Sequence, residues 1–297
     1  TIDIENSTTA NVLQFYNLVI DKDPNGSSYY DVGIAECTGR TTDPSQALNS
    51  IIQVQNGLTI NEGQFTIERY TVNLLGDLSI TDGKLVHNPS LSGRLTLNGS
   101  SAQSITGSAL YSPEFGYIEL DNSNGATITT NVSMDYFTLT TGILNIGINR
   151  LLIDTNFVDG SGFGATKMIE TDAAHGAKGL RLKMDDDYTG GATVNFPVGS
   201  NGNWAECDIN ISSSVGSVTG YLTIAPVNLY HPTRPSGGCD AIDGYWKTKS
   251  SGLSGTSSGV EYQIYSSYAD PPGGGDFEYY LIDGVWTSSG GRLLPDG

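Results

Sequence analysis

An internal self-similarity constrains the fold more than any other feature of this sequence. The segment 58–67 (LTINEGQFTI) aligns with the segment 78–87 (LSITDGKLVH), and a glycine, Gly63 or Gly83, stands at the same place in each. Apolar residues alternate with polar ones on both sides of that glycine, which is the pattern of a strand, a tight turn and a second strand. A period of about 20 residues is typical of one coil of a β-solenoid, whose coils bury their inward side chains by stacking on neighbours.

The same unit occurs again at residues 137–146 (FTLTTGILNI), where Gly142 takes the place of the turn glycine. A β-sandwich whose hairpins resemble one another would also produce such repeats. The run at 121–125 (DNSNG) is predicted to be a solenoid turn, where stacked asparagine side chains can hydrogen-bond between coils. We therefore expect a solenoid, with the sandwich as the alternative.

Composition favours strands and turns along the whole chain. Glycine is abundant, with 38 residues, the charged fraction is only 15%, and helical periodicity is almost absent. The predicted fold class is all-β, a right-handed parallel β-solenoid followed by a β-sandwich. The solenoid repeats cover residues 1–158 with a loop insertion near 21–49, a junction occupies 159–190, and widely spaced aromatic strands predict the sandwich module over 191–297.

Residues 95–153 resemble a known family. They contain the runs LTLNGSSAQSITG, IELDNSNGATI and FTLTTGILNIG, which are similar to repeats of giant secreted surface proteins of the Bacteroidota. The runs FPVG at 196–199, YWKT at 245–248 and VWT at 285–287 resemble the module that follows such repeats. The resemblance implies type IX secretion, an extracellular location on the outer cell surface, and a role in an adhesin, a gliding filament or another appendage.

The function that we expect is therefore an extracellular structural or adhesive module that acts by extension and contact, and not an enzyme. Its expected partners are further domains of the same long chain, other copies of it, and cell-surface glycans or proteins. A carbohydrate-binding module on a solenoid scaffold is the alternative. A polysaccharide-degrading enzyme is less expected, because plentiful acidic residues could supply a catalytic pair but nothing singles one out.

Several classes of function conflict with the sequence. A net charge of −18 would repel a nucleic acid backbone, and no apolar run approaches the length needed to span a bilayer. The run Gly255-Thr-Ser257-Ser-Gly259 matches a serine hydrolase pattern, but the strand before it and the helix after it are missing. A Gly/Ser loop explains that run better.

One segment has the spacing of a calcium loop. Asp21, Asp23 and Asn25 place three oxygen ligands at alternate positions before a glycine turn, as such a loop requires. The twelfth position is Val32, where a full loop has a bidentate glutamate. An exposed turn in an acidic protein is the alternative, and no other cofactor is expected.

The C-terminal region contains the remaining candidate residues. Trp246, Tyr268 and Trp286 belong to an aromatic-rich stretch that could stack on sugars or fill a protein interface, although core packing explains such residues as well. Cys207 and Cys239 could form a disulfide in an exported protein, which would leave Cys37 unpaired. Three buried, inert thiols are the alternative.

Overall fold

The computed structural model describes residues 12–21, 31–34, 51–68, 70–88, 90, 92–107, 114–155, 157–172, 178–184, 193–211, 219–228, 245–254 and 262–265. Within these ranges every regular element is a β-strand, which confirms the predicted all-β class. No helix there is long and apolar enough to cross a membrane. In chain order the strands are β1 (Val12–Ile20), β2 (Asp31–Ile34), β3 (Ile51–Ile67), β4 (Thr71–Leu74), β5 (Asp77–His87), β6 (Arg94–Leu97), β7 (Gln103–Gly107), β8 (Glu114–Asp121), β9 (Ala126–Ile128), β10 (Val132–Thr141), β11 (Leu144–Gly147), β12 (Arg150–Ile153), β13 (Ile169–Thr171), β14 (Gly179–Met184), β15 (Thr193–Phe196), β16 (Val198–Ser200), β17 (Asn203–Trp204), β18 (Cys207–Ile211), β19 (Thr219–Val227), β20 (Tyr245–Ser254) and β21 (Tyr262–Tyr265).

The strands stack in parallel into three ladders, one for each side of a repeating coil. Ladder I contains residues 12–15, 51–54, 71–74, 94–97, 117–120 and 136–139. Ladder II contains residues 17–20, 57–60, 77–80, 103–107, 126–128, 144–147, 169–171 and 198–200. Ladder III contains two runs of paired strands, residues 31–34, 64–67 and 84–87, and residues 114–115, 132–134, 150–153 and 179–182. The chain visits I, II and III in turn, so the fold is the predicted parallel β-solenoid.

The similarity in sequence between segments 58–67 and 78–87 reflects the register in which these two segments pair. Leu58 pairs with Leu78, Gly63 with Gly83, and every intervening register position keeps the same offset along β3 and β5. Residues with the same role in the coil therefore lie directly above one another. The alignment of the two segments is confirmed as one coil stacked on the next.

The third copy of the unit lies on different sides of the coil. Leu58 belongs to ladder II, whereas Phe137 pairs with Ile118 in ladder I. Gly142 therefore turns the chain from ladder I to ladder II, with φ of +86°, and a Cβ atom there would lie 1.9 Å from the backbone oxygen of Asn122. The strand, glycine, strand pattern thus occurs between ladders II and III at Gly63 and Gly83, and between ladders I and II at Gly142, so it does not identify which corner.

The core fills the interior of the coil. Alternate residues of each strand point inward, as in β4, where Val72 and Leu74 are fully buried while Thr71 and Asn73 are half-buried. Because the ladders are parallel and in register, the inward side chains of successive coils form continuous apolar columns. No coil encloses an apolar core by itself, so each coil is stabilised by its neighbours.

Buried amides hold the corner between ladders I and II. The Oε1 atom of Gln103 accepts hydrogen bonds from the backbone N–H of Gly99 and from Nδ2 of Asn122, both at 2.9 Å. Its Nε2 atom donates to the carbonyl oxygens of Leu74, at 2.9 Å, and Gly76. One side chain that is 3% exposed thus connects three successive coils.

Asparagine side chains bond between coils at the same corner. The Nδ2 atom of Asn122 also donates to the carbonyl oxygen of Ser101 in the preceding coil, at 2.7 Å. Nearer the N-terminus, Nδ2 of Asn56 donates to Oδ1 of Asn17 at 2.9 Å. The prediction that asparagines of the 121–125 turn hydrogen-bond between coils is confirmed.

Parallel stacking continues beyond residue 158, where the sequence places the end of the solenoid. In ladder II β13 pairs with β11 and β16 pairs with β13, and in ladder III β14 pairs with β12, all in parallel. The pattern then changes, because β19 pairs with β14 and β20 pairs with β19 in antiparallel fashion. Strands β15, β18 and β21 form a separate antiparallel sheet. The β-sandwich over 191–297 stays a prediction.

Candidate functional site

The outer face of ladder I presents polar and aromatic side chains at one level of the stack. Ile118 and Leu120 point into the core, so their neighbours Tyr117 and Glu119 point outward. In the next coil Phe137 points inward and Tyr136 outward, and Tyr136 pairs directly with Tyr117. The period of two along each strand and the parallel register therefore bring side chains of different coils together.

A groove of about 280 Å³ lies on this face. Tyr117, Tyr136, Thr138, Phe157 and Asp159 contribute to its wall, and we call it the ladder I groove. Two of these side chains are aromatic and well exposed, Tyr136 at 38% and Phe157 at 49%. The groove thus combines flat apolar surface with hydroxyl and carboxylate oxygens.

The polar groups of the groove form a hydrogen-bond chain across three coils. The Tyr117 hydroxyl lies 2.9 Å from Oγ1 of Thr138, which donates to Oδ2 of Asp159 at 3.0 Å. A carboxylate only accepts, so the single hydroxyl hydrogen of Thr138 is used on Asp159. Tyr117 must therefore donate to Thr138. Both hydroxyl groups of this hydrogen-bond series thus donate in the direction of Asp159.

Backbone hydrogen bonds fix the position of the carboxylate. The N–H of Asp159 donates to the carbonyl oxygen of Phe137 at 3.0 Å, and its carbonyl oxygen accepts from the N–H of Leu139 at 2.9 Å. These bonds continue ladder I by one residue. The nearby Thr155 hydroxyl donates to the carbonyl oxygen of Phe157 at 3.0 Å, which anchors the segment that presents the Phe157 ring.

The tyrosines are braced from the adjacent corner of the coil. The ring of His87, at the end of β5, makes edge contacts with Tyr136 and Tyr117 at centroid distances of 5.1 and 6.2 Å. The two tyrosine rings are 6.0 Å apart. The Nδ1 atom of His87 lies 3.2 Å from Oδ2 of Asp135. This packing pre-organises the aromatic wall of the groove.

A second carboxylate on the same face, that of Glu119, is enclosed by donors. It accepts hydrogen bonds from Nε of Arg94, from the Thr96 hydroxyl at 2.9 Å and from the Thr140 hydroxyl at 2.8 Å. Burial by itself would raise the pKa of Glu119, but the hydrogen bonds from Arg94, Thr140 and Thr96 and the Arg94 charge outweigh it and lower that pKa. Glu119 therefore connects coils, and three of its roughly four acceptor sites are occupied within the protein.

Of the three predicted calcium ligands, the described structure includes only Asp21. Asp21 follows β1 and is exposed, whereas Asp23 and Asn25 lie outside the described residues. Across the described ranges no group of three or more His, Cys, Asp or Glu side chains could hold a metal ion. The calcium loop stays a prediction.

Of the three predicted interface aromatics, the structure places Trp246. It lies on β20, packs against the hydrophobic core, and donates from its indole nitrogen to the carbonyl oxygen of Ala205 at 3.0 Å. Tyr268 and Trp286 lie outside the described residues. The interface role of these aromatics stays a prediction.

Cys207 is a fully buried free thiol on β18. Burial, followed by the negative charges of Asp208 and Glu206, raises the pKa of this thiol far above its usual value. Cys239 lies outside the described residues, so the disulfide between the two cysteines stays a prediction.

The sequence did not single out the groove residues. Tyr117 and Tyr136 come from successive coils, and so do Thr138 and Asp159, so no linear motif joins them. The signal that could have revealed them is the repeat itself, extended to outward positions of successive coils.

Comparison with known proteins adds no relative. No family model matches the chain, and neither a curated protein nor a solved structure does so. The class that the fold defines is a parallel β-solenoid with an aromatic and carboxylate-lined groove on one face.

Proposed function

We propose that this chain is an extracellular structural and adhesive module of a bacterial surface protein, which acts by extension and contact and not by catalysis. The observation that carries the proposal is the unbroken parallel stack from β1 to β16 in ladder II. Parallel strands are spaced by about 4.8 Å, so the described strands of this ladder span about 34 Å. Such a stack is stiff along its axis, and each further coil that stacks on it would extend it.

The chemistry of the surface agrees with a contact role. Threonine hydroxyls from different coils bond to carboxylates along ladder I, as Thr140 does to Glu119 and Thr141 to Asp121 at 2.9 Å. These bonds stiffen the rod between coils in addition to the backbone ladders. The Glu119 carboxylate takes part in that network through hydrogen bonds from Arg94, Thr96 and Thr140.

Antibodies against the purified chain provide the test. Unpermeabilised cells of the producing organism should be labelled along their surface. Labelling that requires permeabilisation would contradict the surface location. Turnover of a polysaccharide by the purified chain would contradict the non-catalytic role.

A further inference from the structure

We propose that the ladder I groove binds one ring of a neutral or basic saccharide. This rests on the adhesive part of the proposed function and names the chemistry of the contact. The groove volume of about 280 Å³ lies just below the usual range for sites of drug-sized ligands. It therefore suits one sugar ring, with the rest of a glycan lying outside.

The aromatic side chains supply the apolar part of the site. Tyr136 and Phe157 are among the few large apolar side chains that the described structure leaves exposed, and both line this groove. Flat rings bury much area at little conformational cost, and one face of a pyranose carries only C–H groups. Stacking against Tyr136 or Phe157 would remove both apolar faces from water.

The polar groups of the groove can only accept hydrogen bonds from a ligand. The hydroxyl hydrogens of Tyr117 and Thr138 are already donated within the series of hydrogen bonds that ends on Asp159. In the described part of the protein, Oδ1 of Asp159 has no hydrogen-bond partner, and the Tyr117 oxygen retains acceptor capacity. The ligand must therefore bring hydrogen-bond donors. Neighbouring hydroxyl or amino groups on a sugar ring are donors whose separation matches that of the two oxygens of a carboxylate.

Charge excludes acidic sugars. Among the described residues that line the groove none is Lys or Arg, while Asp159 is an exposed carboxylate in a chain of net charge −18. Uronic acids, sulfated sugars and phosphates would meet repulsion without a compensating donor. Neutral hydroxyl-rich sugars and amino sugars meet no such repulsion.

A quaternary ammonium ion is the competing ligand, because it also prefers aromatic faces and a carboxylate. It donates no hydrogen bond, so it would leave the acceptors of Asp159 and Tyr117 unused. The rings of Tyr117 and Tyr136 are also turned towards each other and towards His87 rather than arranged as a box. The acceptor pattern thus favours a sugar.

The test is a glycan array followed by calorimetry with the best oligosaccharide found. The array carries neutral glucose, mannose, galactose and xylose oligomers, glucosamine oligomers and uronic acid oligomers, and tetramethylammonium is titrated separately. We expect binding to neutral or glucosamine oligomers and none to uronic acids. Failure to bind any neutral or basic glycan, or tighter binding of tetramethylammonium than of every sugar, would overturn the proposal.

Variants locate the site. Phe157→Ala and Tyr136→Ala should each weaken binding about tenfold, since one aromatic contact contributes about that factor. Asp159→Asn keeps an acceptor for Thr138 and should weaken glucosamine binding more than neutral-sugar binding. Tyr16→Ala is the matched control, because Tyr16 is an exposed tyrosine on β1, outside the groove.

The readouts separate this proposal from the proposed function. Each variant is accepted only if its circular dichroism and scattering profile match those of the original chain, and Phe157→Ala, at an exposed position, covers the case in which Tyr136→Ala unfolds. Unchanged affinity in Phe157→Ala and Asp159→Asn would refute the groove as the site. Surface labelling of the cells would be unaffected by that result.

Discussion

Replacing Gln103 by methionine removes the amide that connects three coils while keeping the length of the side chain. After Gln103→Met, the Leu74 oxygen still accepts from the N–H of Asn98 at 3.1 Å, and Nδ2 of Asn122 still donates to Ser101. In the described part of the chain, the N–H of Gly99 and the carbonyl oxygen of Gly76 lose their hydrogen bonds.

The expected loss follows from those two groups. An unsatisfied buried backbone group costs about 1–3 kcal/mol, so two cost about 2–6 kcal/mol. Gly76 is only half-buried, whereas Gly99 is buried, which favours the lower half of that range. We expect Gln103→Met to lower the free energy of unfolding by about 2–4 kcal/mol.

Urea unfolding followed by far-UV circular dichroism measures the change. Stacked repeats need not unfold in one step, so hydrogen exchange at the Gly99 amide gives the local reading. Gln14→Met is the matched control, because Gln14 is exposed and, among the described residues, its side chain bonds only to Gln53 across the outer face, at 3.1 Å. Its effect should stay within about 0.5 kcal/mol. A Gln103→Met variant as stable as this control, with Gly99 still protected, would refute the reasoning.

Three further predictions concern the turn at Gly142, the carboxylate of Glu119 and the thiol of Cys207. Gly142→Ala should cost about 3 kcal/mol or more in urea unfolding, because the new Cβ meets backbone, whereas Gly162→Ala, at a positive φ in open space, should cost about 1 kcal/mol; equal losses would contradict the close approach. Glu119→Gln should cost about 1–3 kcal/mol at pH 7. Because the fold lowers the pKa of Glu119 below its usual value of 4.5, the stabilisation is present above that pH and is lost as the pH falls through the folded value. The difference in free energy of unfolding between the Glu119→Gln variant and the original chain should therefore shrink towards pH 3. A difference independent of pH would contradict the lowered pKa of Glu119. Cys207 should react slowly with iodoacetamide at pH 8 until denaturant is added, as mapped by mass spectrometry, because burial raises its pKa; rapid labelling of the folded chain would contradict its burial.

The solenoid could be predicted because two of its coils have equal length. Leu58 and Leu78 occupy the same place in coils that differ by no insertion, so a comparison of the chain with itself reads the register directly. The turn glycines add a second constraint, since Gly63 lies at a positive φ of 83° and a Cβ atom at Gly83 would lie 2.8 Å from the backbone oxygen of Gly63. The repeat can be recognised even though the residue types differ between the two coils.

The assignment of strands to sides of the coil could not be predicted in the same way. Alternation of inward and outward residues is identical on all three sides, so Phe137 and Leu58 look equivalent although they lie in different ladders. Coil length also varies, because the step along the chain from Ile51 to its partner Thr71 is shorter than the step from Thr71 to Arg94. Local pattern identifies a coil, and only the pairing tells where that coil begins.

The ladder I groove could not be predicted from the sequence for a related reason. Its residues come from different coils, and each is an ordinary outward residue of its own strand. What distinguishes Asp159 from Glu119 is the supply of donors in adjacent coils. Glu119 has Arg94 and Thr96 in one coil and Thr140 in the next, whereas Asp159 receives a side-chain hydrogen bond from Thr138 alone in the described structure.

This difference explains why a binding site can arise on an otherwise regular rod. Along ladder I, an outward carboxylate that accepts several hydrogen bonds from neighbouring coils, as Glu119 does, keeps fewer acceptor sites for a ligand. Asp159 stands where that supply falls short, beside the exposed rings of Tyr136 and Phe157. A ligand that brings its own donors and a flat apolar face would complete the pattern that neighbouring coils complete elsewhere. Function in such a stack is therefore to be sought where the column of inter-coil bonds is interrupted, rather than where chemical groups are most numerous.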